Sequence, residues 1–145
     1  MSDYADTSLI VSYLTPDSRS SEARALLLQA KSRILVTAWT GFEFENAINL
    51  RRFRGEASES ELDAWLADYD TELKHGVFDF ATVEYPAVIA RARTLAAAHT
   101  HSLGTRSFDI FHVAAALELS AAHFLTFDVR QAALARAAGL PVISG

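Results

Sequence analysis

Short apolar runs alternate along this chain with longer segments in which apolar residues recur every three or four positions. Ile34-Leu35-Val36 and Val77-Phe78 are typical of buried strands, because β-branched and aromatic side chains pack well on a pleated surface. The longer segments carry one apolar face, as helices packed on a sheet do. The alternation predicts an α/β layer fold built on a parallel sheet.

The boundaries of the predicted elements follow from turn and capping residues. Ser58 and Glu61 form a capping-box pattern at one helix start, and Gly55 and Gly139 are placed to end helices. The predicted strands are Tyr4-Ala5, Ile34–Val36, Val77-Phe78, Ala122–Thr126 and Pro141–Ile143. The predicted helices cover 9–14, 20–30, 40–53, 58–73, 82–99, 108–119 and 129–138, with a loop at 99–107.

Composition narrows the class of protein. With 145 residues, of which 50% are hydrophobic, the chain is long enough for one sizeable core, so one domain over 1–145 is expected. The absence of cysteine excludes disulfides, zinc–thiolate sites and cysteine nucleophiles. No signal-peptide pattern and no apolar run of the ~20 residues that span a bilayer are present, so a cytoplasmic protein without membrane association is expected.

Charge is distributed unevenly along the chain. The formal net charge of −5 does not favour nucleic-acid binding, which draws on lysine and arginine. A carboxylate cluster, however, contributes to this total and becomes attractive to phosphate once it holds a metal ion. Arg51, Arg52 and Arg54 immediately precede an acidic segment at 56–72. These arginines either follow an RNA backbone or pair with that segment.

Four acidic residues stand where a turn meets an apolar run, namely Asp6, Glu43, Asp109 and Asp128. Carboxylates at the ends of buried elements are costly unless a cation meets them. Hard divalent ions such as Mg²⁺ or Mn²⁺ prefer oxygen ligands. If the fold brings the four together, the pattern indicates a metal-dependent hydrolase of phosphodiesters.

Each aspartate also has a purely structural interpretation. Asp6 and Asp128 are good N-caps, and Asp109 stands at a helix start, where the macrodipole favours an anion. Glu43 has no capping role, although Glu45 competes with it for the same place. Asn46, three residues after Glu43, is placed to support it.

Two further residues near Asp109 have open roles. His112 lies on the same helix face as Asp109, and we expect it mainly to pack in the core and bond nearby backbone, rather than to act as an acid or base. Arg106 either binds a phosphate or pairs with a site carboxylate.

Four motifs resemble those of PIN domains, in particular the VapC-type toxins of bacterial toxin–antitoxin pairs. The resemblance covers almost the whole chain in order and spacing. The motifs are Ala5-Asp6-Thr7-Ser8, Phe42-Glu43-Phe44-Glu45-Asn46-Ala47, Ser107-Phe108-Asp109-Ile110-Phe111-His112-Val113-Ala114-Ala115-Ala116, and Leu125-Thr126-Phe127-Asp128 with Gly139-Leu140-Pro141-Val142 beyond it.

The resemblance implies an α/β fold of three layers, in which a central parallel sheet is flanked by helices. It also implies a Mg²⁺- or Mn²⁺-dependent endoribonuclease acting on tRNA or another structured RNA, and a homodimer neutralised by a VapB-like antitoxin. Trp65, Tyr69 and the apolar faces of the first two helices either form a groove for an antitoxin helix or serve core or dimer packing.

The resemblance assigns the acidic site positions to Asp6, Glu43, Asp109 and Asp128, as catalytic residues and metal ligands. Thr7 or Ser8 and Thr126 become candidates for supporting these ligands.

Two other functions stay open at this point. One is a PIN-fold nuclease with a housekeeping RNA or DNA substrate and no antitoxin, which the presence or absence of a small upstream antitoxin gene would discriminate. The other is a non-catalytic interaction module whose acidic residues only cap helices. The module predicts that Asp109→Asn affects stability alone.

Overall fold

The computed structural model describes residues 1–145, which form five parallel strands and eight α-helices. The strands are β1 (Ser2–Ala5), β2 (Arg33–Val36), β3 (Phe78–Phe80), β4 (Phe124–Leu125) and β5 (Val142–Ile143). The helices are α1 (Thr7–Leu14), α2 (Ser20–Gln29), α3 (Ala38–Arg54), α4 (Glu59–His75), α5 (Tyr85–Leu95), α6 (His101–Leu103), α7 (Ser107–Glu118) and α8 (Val129–Ala137), with a π-helical turn (Ala96–Thr100) between α5 and α6. None of the helices combines the length and apolar character that a membrane span needs.

The sheet has the order β3-β2-β1-β4-β5, so β1 lies at its centre. Tyr4 is paired with Leu35 of β2 on one side and with Phe124 of β4 on the other. All four strand pairs are parallel. The carboxyl ends of the strands therefore meet at one edge, where open α/β sheets gather their ligand-binding residues.

Each face of the sheet is covered by its own apolar cluster. Successive strand residues point to opposite faces, so Tyr4 belongs to one cluster and Ala5 to the other. The Tyr4 cluster takes side chains from α5, α7 and α8, and the Ala5 cluster takes them from α1 to α4. This three-layer arrangement confirms the predicted fold class.

The structure differs from the sequence-based boundaries in two places. The helix expected from residue 82 begins at Tyr85, with Pro86 in its first turn, and the helical path then runs through the π turn to Leu103. The loop predicted at 99–107 therefore shrinks to the short link around Gly104, whose φ of 64° ends α6. Periodicity did not reveal this extension, because a π turn adds a residue and shifts the apolar face.

Candidate active site

The carboxyl-terminal edge of the sheet carries two of the four predicted acidic residues. Asp6 directly follows β1, and Asp128 follows the neighbouring strand β4 by three residues. The hydroxyl of Thr126 donates to Oδ2 of Asp6 at 2.6 Å and accepts from the backbone N–H of Asp128 at 2.9 Å. Thr126 thus links the two aspartates across the centre of the sheet.

Asp6 is completely buried and bonded entirely to neutral groups. The Ser8 hydroxyl donates to both of its oxygens, at 2.7 and 3.0 Å, and the Leu9 N–H donates to Oδ1 at 3.2 Å. The last of these bonds makes Asp6 the N-cap of α1. No cationic side chain is bonded to this carboxylate, so its charge is not neutralised by direct contact.

Burial raises the pKa of the Asp6 carboxyl above its ordinary value, since a desolvated carboxylate loses its hydration. Hydrogen bonds from Thr126 and Ser8 and the nearby His112 act in the opposite direction. Removal from water is nevertheless the largest of these effects. A positive charge placed beside Asp6 would lower its pKa again.

Asp128 and Asp109 also accept hydrogen bonds from helix N-termini. Oδ1 of Asp128 accepts from the N–H groups of Arg130 and Gln131, at 2.8 and 3.0 Å, and caps α8. Oδ2 of Asp109 accepts from the N–H of Arg106 at 3.2 Å, in the first turn of α7. Asp6 and Asp128 therefore cap helices as predicted. In Asp128 and Asp109, these backbone hydrogen bonds occupy only one of the two carboxylate oxygens.

The side chain of Glu43, on α3, contacts the first turn of α1, which directly follows Asp6. The Thr7 hydroxyl donates to its Oε1 at 2.9 Å, and Nε2 of His112 is in short contact with the same oxygen. Nδ1 of His112 lies 2.8 Å from the hydroxyl of the buried Tyr4. A chain of contacts therefore runs from the core of the sheet to the Glu43 carboxylate and fixes its position.

His112 has a larger part in the site than the sequence indicated. We expected core packing and bonds to nearby backbone, but both ring nitrogens face side chains, and the ring is completely buried. Asp109 lies one turn earlier on the same face of α7, so this face is turned toward the end of β1. The i, i+3 spacing of Asp109 and His112 was the only sequence signal that placed His112 near the site, and it did not indicate that His112 contacts Glu43.

The structure also distinguishes between the candidates around Glu43. Glu45 is exposed, whereas Glu43 is half-buried and bonded to Thr7. Asn46 is exposed and makes no hydrogen bond to Glu43, so the support expected from it is not present. Two residues along a helix turn the side chain by about 200°, which explains why only one of the two glutamates reaches the site.

The arginines proposed for RNA binding all have acidic neighbours. Arg52 pairs with Glu59 at 2.8 Å and with Asp63 at 3.1 Å. Arg51 and Arg54 lie 3.9 and 3.7 Å from Glu56. The structure therefore favours pairing with the acidic segment over contact with RNA for these three residues.

Arg106 differs from the other three arginines. Its Nε lies 3.5 Å from Oδ2 of Asp109, yet its side chain stays 68% exposed. The pairing with a site carboxylate is thus present, and the guanidinium still faces solvent. Arg106 remains available to a phosphate at the edge of the site.

The donor set has the chemistry that a hard divalent cation requires. Oδ1 of Asp109, Oδ2 of Asp128 and Oε2 of Glu43 have no hydrogen-bond partner in the protein, so each carboxylate has an oxygen available to a ligand. Oxygen donors of this kind suit Mg²⁺ or Mn²⁺. No three His, Cys, Asp or Glu side chains are grouped so that they could hold a metal ion as they stand. Their role as ligands stays a prediction.

Comparison with known proteins identifies a matching family. A family model described as "PIN domain" matches residues 4–140. This range includes all four acidic residues of the site. Among curated proteins, none matches the sequence significantly.

Solved structures with the same fold are similar over nearly their whole length. FitAB bound to the IR36 DNA fragment matches with a TM-score of 0.73 at 18% identity, over 99% of this chain and 94% of that one. VapBC2 from Rickettsia felis bound to a promoter DNA fragment matches with 0.70 at 13% identity, over 100% and 99%. Mycobacterium tuberculosis VapC20, a toxin that cleaves the sarcin-ricin loop, matches with 0.68 at 15% identity, over 90% and 92%. At these identities the likeness establishes the fold.

Proposed function

This chain belongs to the PIN domain family, and from that premise we propose that it is a metal-dependent endoribonuclease, the toxin of a VapBC-type toxin–antitoxin pair. One observation carries the proposal. Glu43, Asp109 and Asp128 each keep one carboxylate oxygen without a hydrogen-bond partner in the protein, and Thr126 joins Asp128 to the buried Asp6, to which no cationic side chain is bonded. An arrangement that served only to cap helices would not require Glu43, which caps nothing.

The proposed site holds Mg²⁺ or Mn²⁺ on Asp6, Glu43, Asp109 and Asp128. When bound, such an ion lowers the pKa of a water molecule and stabilises charge on the phosphate oxygens. The protein's own residues position the ligands. Ser8 and Thr126 hold Asp6, while Thr7 and His112 hold Glu43, so these four side chains fix the two acids before substrate arrives.

Removal of the metal is expected to abolish cleavage. We expect the purified protein to cut total cellular RNA, tRNA included, into discrete fragments in Mg²⁺ or Mn²⁺ and to leave it intact in EDTA. Gel analysis of the three reactions checks this, with metal binding measured by calorimetry. Intact RNA in all three reactions, together with no metal binding, would support a non-catalytic interaction module instead.

A groove on another face of the protein suits an antitoxin helix. It has a volume of about 660 Å³ and lies between α1, α2 and α4. Its apolar lining includes Leu27 and Leu28, the latter 87% exposed, and its charged lining residues are Asp68, Glu72 and Arg24. Trp65 and Tyr69, for which the sequence left a groove and packing equally open, do not line it, and Tyr69 packs against Phe44 in the core.

The occupant that we propose is an amphipathic helix with an apolar face and basic flanks, as a VapB-like antitoxin would supply. Two of the solved structures, VapBC2 and VapBC-1 from nontypeable Haemophilus influenzae, are named for both partners of such a pair.

We expect a small protein encoded immediately upstream to suppress RNA cleavage when it is added in equal amount. Leu28→Glu should weaken that suppression at least tenfold in titrations and leave cleavage itself unchanged. Equal suppression of both proteins would exclude this groove.

A further inference from the structure

Two phenylalanines next to site residues in the sequence are exposed to solvent, although another phenylalanine on each of the same helices is buried. The exposed fraction is 54% for Phe42 and 47% for Phe108, whereas Phe44 and Phe111 belong to the core. Both exposed rings contact Trp39. The Phe108 ring meets the indole edge to face, with centroids 5.0 Å apart, and the Phe42 ring lies 5.9 Å from it.

The indole is itself held from the core side. The Phe111 ring stacks on it with centroids 4.6 Å apart and planes inclined by 27°. Trp39, Phe42 and Phe108 therefore form a supported aromatic surface, which we call the aromatic platform. Large contiguous apolar patches on a protein surface commonly mark binding sites.

Two residues of the aromatic platform are sequence neighbours of site carboxylates. Phe42 directly precedes Glu43, and Phe108 directly precedes Asp109. Arg106, two residues before Phe108, adds an exposed positive charge that already touches Asp109. The two exposed rings are thus next to the carboxylates of α3 and α7 in the sequence, and Arg106 contacts the carboxylate of α7 directly.

We infer that the aromatic platform stacks a nucleobase of single-stranded RNA next to the scissile phosphate, with Arg106 beside the adjoining phosphate. The inference rests on the proposed nuclease function and adds to it a subsite for the base. Base–aromatic stacking needs no protein charge and tolerates any base, since every base has a π face. A chain of net charge −5, with Arg51, Arg52 and Arg54 next to acidic groups, gains from an uncharged source of affinity.

A second copy of the chain is the competing occupant of this apolar surface. Arg106 argues for the nucleic acid, because it places a positive charge where a stacked nucleotide has its phosphate. The acidic site next to the platform acts on phosphodiesters in the proposed function. The experiment must therefore report on bases as well as on the surface.

Affinity for a labelled RNA octamer of alternating adenine and cytosine tests the inference. The measurement is fluorescence anisotropy in EDTA, so that no strand is cut, with an abasic strand of the same length and charge beside it. We expect wild-type protein to prefer the base-bearing strand and Phe108→Ala to bind that strand about 5- to 150-fold more weakly, the range for one stacked base. Affinity for the abasic strand should not change.

Two variants serve as controls. Phe108→Trp keeps an aromatic face and should keep the preference for bases. Phe53→Ala removes another exposed ring, which is 88% exposed and lies about 15 Å along α3 from Glu43, and this variant should bind as wild type does. Sedimentation of each variant records its oligomeric state.

The outcomes separate the platform from the nuclease. No preference of the wild type for bases, equal affinities of wild type and Phe108→Ala, or weakened binding to both strands with dissociation into monomers would each overturn the platform. RNA cleavage in Mg²⁺ would still stand in those cases. Base-dependent binding lost only in Phe108→Ala, without any cleavage in Mg²⁺, would retain the platform and reject the nuclease.

Discussion

Replacing Asp109 with asparagine is expected to lower the rate of RNA cleavage by about 10²- to 10⁴-fold, the range seen when a group acting on the reacting atoms is removed. Asparagine can still accept the Arg106 N–H, which the carboxylate accepts at 3.2 Å. It removes the negative charge that the proposed metal ion requires. Initial rates on total RNA in Mg²⁺ measure the effect, and thermal unfolding shows whether the variant is folded.

Asp70→Asn is the matched control for this substitution. Asp70 is exposed on α4, and its loss of charge should leave the rate within about twofold. If Asp109→Asn retained full activity while folded, the carboxylate would be only a helix cap. If it changed stability alone in a protein that never cleaves RNA, the interaction module would be the better description.

Replacing Phe44 with alanine is expected to reduce the free energy of unfolding by about 3–5 kcal/mol, a large part of a domain's total stability. The ring is completely buried and stacks on Tyr69, with centroids 5.2 Å apart. Its loss leaves a cavity between α3 and α4 directly behind Glu43. Denaturant unfolding at equilibrium measures the change.

Phe53→Ala isolates the contribution of burial in this measurement. Phe53 lies on the same helix but is 88% exposed, so its removal should alter the free energy of unfolding by no more than about 0.5 kcal/mol. Similar losses for the two variants would mean that Phe44 does not pack as the structure shows. A lower folded fraction of Phe44→Ala should lower cleavage in proportion.

The layers of the fold could be read from the chain because local patterns determine them. Ile34–Val36 and Phe78 read as strand residues, and the Ser58–Glu61 capping box starts α4 where predicted. The extension of α5 through the π turn to Leu103 could not be read, since His99 and Ser102 look like loop residues in isolation. In the structure α6 packs against α8, and such contacts have no local signal.

For the site, the sequence indicated which residues lie there more readily than which side chains they contact. Asp6 and Asp128 were placed at the ends of β1 and β4, and the structure joins them through Thr126. The contact of His112 with Glu43 joins residues 69 positions apart, and no periodicity reports such a pair. The hydrogen bond expected from Asn46 to Glu43 is absent for the opposite reason: the spacing of the two residues fits, but the Asn46 side chain is exposed to solvent.

The position of β1 in the sheet has a consequence for biosynthesis. β1 pairs with β2 early in the chain, but its other neighbour is β4, and the Thr126–Asp6 hydrogen bond joins residues 120 positions apart. Contacts of such separation form late, because the loop between them must be closed first. A nascent chain on the ribosome therefore carries Asp6 long before it can assemble the site around it. Translation products that stop before β4 lack both Thr126 and Asp128, so the candidate site is complete only in molecules synthesised past that point.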